Sequence, residues 1–197
     1  MQASLRGIGV AVAALLALLV GSAPARAADG DVLVVGDSLA VGTEPYLGPL
    51  LGEFNLVNDV RNGITTPQGM RLLRMSLRTV TPATVVVSLG TNDGGDPGRF
   101  ASRLRRTMAL LPFDTCVVWS TIIRPHRKGP YRPINRVLHK LKKQDPRLVI
   151  IDWEHAVTGG EVSLPDGLHA DRAGYQYRST MIADAVNAGC PARLGTG

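Results

Sequence analysis

The sequence is poor in aromatic residues and in cysteine, and both shortages exclude classes of protein. Phenylalanine, tryptophan and tyrosine make up 5% of the 197 residues, which is too few for a base-stacking nucleic-acid surface. Two cysteines are too few for a zinc ribbon or a disulfide scaffold. The net charge of +6 is a modest excess that does not indicate nucleic acid. With 45% hydrophobic residues, the chain can bury one sizeable core.

The densest apolar run lies near the N-terminus and is too short to span a bilayer. Arg6 precedes the run, whose core is the 13 residues Ile8–Val20, against the roughly 20 that a spanning helix needs. The small-residue motif Ala25–Ala27 follows. This pattern predicts a secretory signal peptide over residues 1–28 and a secreted or extracytoplasmic domain over 29–197, with an uncleaved membrane anchor as the alternative. Removing Arg6 and Arg26 leaves 20 basic against 16 acidic residues, a net charge of +4.

Short, continuously apolar runs alternate with helical patterns from residue 31 onward. Such an alternation is typical of a parallel sheet covered by helices on both faces. We therefore predict an α/β fold, a three-layer α/β/α sandwich around a five-stranded parallel sheet with strand order 2-1-3-4-5. The predicted strands are Val32–Val35, Phe54–Val60, Thr84–Leu89, Cys116–Thr121 and Leu148–Asp152. The predicted helices are Leu39–Leu51 (broken near Pro45), Pro67–Val80, Phe100–Leu111, Ile134–Lys143 and Asp171–Ala188.

The polar segments at the ends of these strands hold residue types that suit acyl transfer. Ser38 follows the first strand, Gly63 the second and Asn92 the third, while Asp166 and His169 precede the last helix. In open α/β sheets, ligands bind outside the carboxyl ends of the strands. We therefore expect these residues to share one edge of the sheet.

Each of these residues has a role in a serine-based mechanism. The hydroxyl of Ser38 needs a base, and the imidazole of His169 is the best candidate. Asp166, three residues earlier, can bond the other ring nitrogen. The backbone N–H groups of Ser38 and Gly63 and the amide of Asn92 are candidate donors to an oxyanion. Taken singly, each residue is also typical of an ordinary turn or helix cap.

Four sequence blocks resemble the SGNH (GDSL) hydrolase family. They are VVGDSL at 34–39, NG at 62–63, GTND at 90–93 and DGLH at 166–169. The resemblance implies that Ser38, Gly63, Asn92 and His169 take the family's four named roles and that Asp166 completes a triad. It also implies an SGNH domain over 29–197 that acts as a secreted serine esterase. No motif indicates a cofactor or a metal. The sequence contains no G-x-S-x-G motif, which argues against the α/β-hydrolase lipase fold.

A second resemblance concerns the substrate. The tract VIIDW at 149–153, with DGLH and the Gly174-Tyr175 pair, is similar to the extracellular SGNH domains of peptidoglycan O-acetyltransferases. It implies a carbohydrate ester, whereas the triad alone equally allows a lipid ester. Three functions remain open: an esterase, a cell-wall carbohydrate O-acetyltransferase, and a non-catalytic wall-binding module. We expect a monomer that binds no nucleic acid and has no stable membrane span after cleavage.

Three further expectations concern residues outside the blocks. The basic stretch Arg124–Arg132 follows the fourth strand, and either attracts an anionic substrate or is merely solvated. Trp153 or Tyr131 either stacks on a sugar ring or packs in the core. Cys116 and Cys190 lie at the edge opposite the site and form either a disulfide, which export would favour, or two buried free thiols.

Overall fold

A computed structural model describes residues 30–190 of the chain. The predicted signal peptide, residues 1–28, lies outside the described residues. The elements are β1 Asp31–Gly36, α1 Ser38–Leu50, β2 Asn55–Val60, α2 Thr66–Ser76, β3 Pro82–Ser88, α3 Pro97–Met108, β4 Cys116–Ser120, a 3-10 turn His126–Lys128, α4 Arg132–Lys142, β5 Leu148–Ile151, α5 Trp153–Thr158 and α6 Arg172–Ala188.

The five strands form one parallel sheet in the order β2-β1-β3-β4-β5, which confirms the predicted topology. Alternate side chains of β1 enter opposite cores. Leu33 and Val35 pack on the side of α2, α3 and α4, whereas Val32 and Val34 pack on the side of α1 and α6. Because both faces are buried, the strands carry continuous apolar runs.

Helix α1 runs without a break through Pro45, contrary to the sequence prediction. A proline inside a helix removes one backbone hydrogen bond and usually kinks the chain. Pro45 is exposed, so water can bond the carbonyl that it leaves unpaired. Leu39 and Leu47 on the opposite side of the helix are fully buried, and their packing holds the helix together across the proline.

Two further features lie away from the site. The sequence did not predict α5, whose six residues carry too little periodicity to be recognised. Cys116 begins β4 and Cys190 follows α6, and their sulfurs are bonded, so the structure contains the expected disulfide. No helix between residues 30 and 190 combines the length and the apolar character that crossing a membrane requires.

Candidate active site

Ser38 stands at the carboxyl end of β1, where the chain turns sharply into α1. A Cβ at Gly36 would lie 2.4 Å from that of Ala40, so this tight turn requires glycine. The Asp37 N–H donates to the Ser88 carbonyl at 3.0 Å, and the Asp37 carboxylate caps the helix by accepting from the Leu39 N–H at 3.0 Å. Ser38 is therefore the first helical residue, and its own N–H has no acceptor within the helix.

The structure brings Ser38, His169 and Asp166 into one hydrogen-bonded chain. Ser38 Oγ lies 3.0 Å from His169 Nε2, and His169 Nδ1 lies 2.8 Å from Asp166 Oδ2. The His169 side chain is 42% exposed, so a substrate can reach the ring. In this geometry the ring can take a proton from the serine while the carboxylate fixes its other nitrogen.

A short turn holds the Asp166 carboxylate in place. Its Oδ1 accepts the backbone N–H groups of Leu168 at 2.9 Å and of His169 at 2.7 Å. These backbone bonds and the bond to the His169 ring hold the pKa of the Asp166 carboxyl well below its ordinary range. Asp166 is therefore ionised at every pH at which an imidazole is neutral. An ionised carboxylate can accept the hydrogen of His169 Nδ1 and so orient the ring.

Gly63 and Asn92 come from the loops after β2 and β3. Gly63 has φ +72°, a backbone conformation that favours glycine. The Asn92 amide donates to the Ile64 carbonyl at 3.1 Å and, over a longer 3.4 Å, to Asp37 Oδ2. The bond to Ile64 joins the two loops. The bond to Asp37 is long and therefore weak, so the amide hydrogen that makes it can be donated to an oxyanion instead.

Two buried groups of opposite charge, Asp37 and Arg178, lie behind Ser38, and the sequence analysis did not identify their interaction. Asp37 is fully buried, and burial raises the pKa of its carboxyl from 3.8 to about 6, against the lowering effects of the Leu39 N–H and the Arg178 charge. The guanidinium of Arg178 donates to Ser88 Oγ at 3.0 Å and lies 4.5 Å from the ring centre of Trp153. Burial lowers the pKa of Arg178 to about 10, although the Asp37 charge raises it.

Arg178 could have been recognised from its spacing. It occupies a core-facing position of α6, four residues before Ile182 and eight before Val186, both of which are buried. An arginine on the apolar stripe of a helix indicates a buried partner. Its hydrogen-bond partner is Ser88, and the charge of Asp37, from the G-D-S block, acts on it without an ion pair within 4 Å.

Asp93 shapes the loop that carries Asn92. Its carboxylate accepts the Thr66 N–H at the start of α2 at 2.8 Å and forms an ion pair with Arg103 at 3.0 Å. Asp93 is 3% exposed, so a substrate cannot contact it directly.

For Trp153 and Tyr131, the structure selects packing in the core from the two alternatives that the sequence left open. Trp153 is fully buried under Arg178 and cannot stack on a sugar ring, because α5 begins at this residue and turns it into the core. Tyr131 is partly buried and packs against the core beneath α4. Arg124 is 3% exposed, and its guanidinium bonds backbone carbonyls rather than facing a ligand. His126, His139 and His155 are exposed, and residues 30–190 contain no cluster of side chains suited to a metal ion.

Comparisons with known proteins agree with this architecture. The chain is 29% identical over 181 residues to an arylesterase of Vibrio mimicus, covering 82% of this chain and 90% of that protein. It is 24% identical over 162 residues to the peptidoglycan O-acetyltransferase OatA of Listeria monocytogenes, covering 80% of this chain. The chain spans only 24% of the length of that OatA. No protein-family model matches the chain.

Solved structures define the class of fold. The C-terminal catalytic domain of Streptococcus pneumoniae OatA superposes with a TM-score of 0.67 at 21% identity, covering 81% of this chain and 93% of that one. A lipolytic G-D-S-L family protein of Veillonella parvula gives a TM-score of 0.67 at 16% identity, covering 79% and 97%. The chain therefore has the fold of the SGNH (GDSL) hydrolases, and the resemblance seen in the sequence is confirmed. Together with the arylesterase relative, these neighbours indicate an ester hydrolase of this type.

Proposed function

We propose that the protein is a secreted serine esterase that cleaves carboxylic esters, acetyl or longer acyl, through Ser38, His169 and Asp166. The observation that carries the proposal is the continuous hydrogen-bonded chain from Ser38 Oγ through the His169 ring to the Asp166 carboxylate. A serine in this arrangement has a base within reach, and the base has a partner that fixes its tautomer. Ser38 is held at the start of α1, and Asp166 and His169 are held in one turn by the bonds of Asp166 to the Leu168 and His169 N–H groups.

The proposed reaction proceeds in two acyl-transfer steps. Ser38 Oγ attacks the ester carbonyl carbon while His169 Nε2 takes the hydroxyl proton, and the N–H groups of Ser38, Gly63 and Asn92 stabilise the oxyanion. The tetrahedral intermediate then collapses as His169 gives the proton to the leaving alcohol. A second nucleophile, which loses its proton to the same imidazole, attacks the acyl-serine; the acyl–Oγ bond breaks, the proton returns to Ser38, and the product is the free acid with water or a new ester with a hydroxyl acceptor.

Exposure of the site favours water as the second nucleophile. The side chains of His169 and Asp166 are 42% and 56% exposed, so water reaches the base freely. The resemblance to OatA supports an alternative, transfer of an acetyl group to a cell-wall sugar hydroxyl. In either case the substrate is an ester, and a carbohydrate or a lipid could carry it.

One assay tests the proposed activity and separates it from the alternative. Mature protein is incubated with 4-nitrophenyl acetate, with and without a peptidoglycan oligosaccharide acceptor. Rapid Ser38-dependent release of nitrophenol in buffer alone is expected, with no increase on adding acceptor. Turnover that requires the acceptor would favour transfer instead. The Ser38→Ala variant should lose nearly all turnover, Ser102→Ala on α3 should not, and equal activity in both would contradict Ser38 as nucleophile.

A further inference from the structure

The loop after β4, residues 121–131, lies at the edge of the sheet that carries Ser38. It runs between the loop after β3, which carries Asn92, and the loop that carries Asp166 and His169. At one end, a Cβ on Gly95 would lie 2.5 Å from the ring of Pro130, so the two chains are in close contact. Near the middle, a Cβ on Gly167 would lie 3.3 Å from Pro125. Side chains on this loop therefore stand beside both halves of the proposed site.

Arg124 fixes this loop to the segment that carries Asn92. One guanidinium nitrogen, Nη1, donates to the carbonyls of Gly90 at 3.1 Å, of Thr91 at 2.8 Å and of Asp93. The other two nitrogens donate back to the loop itself, to the carbonyls of residues 129 and 130 at 3.1 and 3.3 Å. Because these bonds are buried, the backbone of the loop has little freedom to move relative to Asn92.

The 3-10 turn of this loop presents exposed cations that have no acidic partner. Arg127 and Lys128 are exposed, and within residues 30–190 no carboxylate lies within 4 Å of either charge. Exposed arginines without an ion pair also occur on the helices between residues 30 and 190, for example Arg71 and Arg136, so what distinguishes this turn is its position beside Asn92. Lys128 Nζ instead donates to Asn92 Oδ1 at 3.4 Å, so its charge stands next to a proposed oxyanion donor.

We propose that Arg127 and Lys128 bind an anionic group of the substrate, a carboxylate or a phosphate, close to the ester that is cleaved. This inference rests on the proposed esterase function and adds a substrate class to it. A guanidinium and an ammonium on one rigid turn suit an oxyanion, since the first offers a planar fork of donors and the second a point charge. Cations on the approach to a cleft also raise the rate of encounter with an anion.

The test compares three acetyl esters that differ in charge. These are 4-acetoxybenzoate, 4-acetoxyphenyl phosphate and the neutral 4-acetoxybenzamide, with release of the phenol followed by absorbance. Their leaving groups differ in reactivity, so the informative quantity is the ratio of kcat/KM for an anionic ester to that for the neutral ester. This ratio is compared between wild type and the double variant Arg127→Gln/Lys128→Met.

We expect the double variant to lower the ratio about tenfold, as two exposed ion pairs would. High salt should lower the wild-type ratio in the same direction, because exposed pairs are screened. The matched control is Lys142→Met, at the last residue of α4 on the opposite edge of the sheet, which should keep the wild-type ratio. A change with only one anionic ester assigns that anion, and equal ratios in wild type and double variant for both would overturn the proposal.

A binding measurement keeps the inference distinct from the proposed function. Failure to cleave any of the three esters would contradict the esterase, and NMR titration would then decide the anion site alone. In that titration 4-hydroxybenzoate, but not 4-hydroxybenzamide, should shift the backbone amide signals of residues 126–129, and the double variant should abolish the shifts. Equal shifts with both compounds, or none in the wild type, would overturn the anion site.

Discussion

Ser38 Oγ lies 3.0 Å from His169 Nε2, although 131 residues separate them along the chain. The contact depends on the parallel sheet. Ser38 follows the carboxyl end of β1, and the loop that carries His169 lies at the same edge of the sheet, just before α6 begins. The predictions below concern the groups that hold this pair in place.

Replacing Asp166 by asparagine should impair catalysis far more than it impairs folding. Asparagine can still accept the two backbone N–H groups, but it presents an amide to His169 Nδ1 and so favours the wrong tautomer of the ring. We expect kcat to fall on the order of 10⁴-fold, with an unchanged circular dichroism spectrum. A loss of less than tenfold would mean that the carboxylate does not orient the ring.

Activity should fall as the pH is lowered from 8 to 5. Only the neutral imidazole of His169 can accept the serine proton, and the lowered pKa of the Asp166 carboxyl keeps that group ionised over this range. The measurement is kcat/KM against pH. The Asp37→Asn variant, which lacks the carboxyl with a pKa of about 6, should retain the fall. A flat profile in wild type would count against His169 as the base.

The stability of the protein should carry a pH dependence that comes from Asp37. Its carboxyl has a pKa of about 6 in the folded chain and 3.8 when unperturbed, so folding takes up a proton between these values. Wild type should therefore lose about 2 kcal/mol relative to Asp37→Asn as the pH rises from 4 to 7. Urea denaturation of both proteins at each pH measures the difference in the free energy of unfolding. If this free energy changed with pH equally in both proteins, burial would not raise the pKa of the Asp37 carboxyl.

Arg178→Met provides the matched control for that experiment. Removing the buried cation takes away a charge that lowers the pKa of Asp37, so the loss of stability should extend to higher pH. A variant with the same pH dependence as wild type would show that Arg178 does not act on Asp37.

Removing the disulfide should destabilise the fold and leave the site working. Cys116 and Cys190 are 74 residues apart, and closing such a loop stabilises a protein by about 4 kcal/mol in the chain-entropy model. The bridge lies at the amino edge of the sheet, opposite Ser38. The double variant Cys116→Ala/Cys190→Ala should unfold at lower urea with unchanged kcat at 25 °C. Lost activity in a fully folded variant would contradict this separation.

Much of the fold could be predicted because parallel strands have a simple signature. Their apolar runs are continuous, and the structure confirms the predicted strand order 2-1-3-4-5 and the disulfide, which was one of two alternatives for Cys116 and Cys190. The sequence blocks at the strand ends also named the residues that the structure brings together. Pattern reasoning failed at Pro45, where packing overrides a local preference, and at α5, which is too short to show a period.

The buried arginines show a different limit. Composition alone counts Arg124 and Arg178 as surface charges. Only the structure shows that Arg124 bonds a set of backbone carbonyls and that Arg178 is buried, bonds Ser88 and interacts electrostatically with Asp37. Such partners come from separate loops and helices, so no local pattern reveals them. The spacing of Arg178 on the apolar stripe of α6 was the one available signal.

The central claim, that His169 activates Ser38 as a nucleophile, is tested most directly by covalent labelling. Protein comprising residues 29–197 is treated with methanesulfonyl fluoride and analysed by intact mass and peptide mapping. We expect one methylsulfonyl group per chain, located on Ser38, with labelling abolished in Ser38→Ala and strongly slowed in His169→Ala. An unlabelled wild type, or a label on another residue that forms equally well without His169, would contradict the claim.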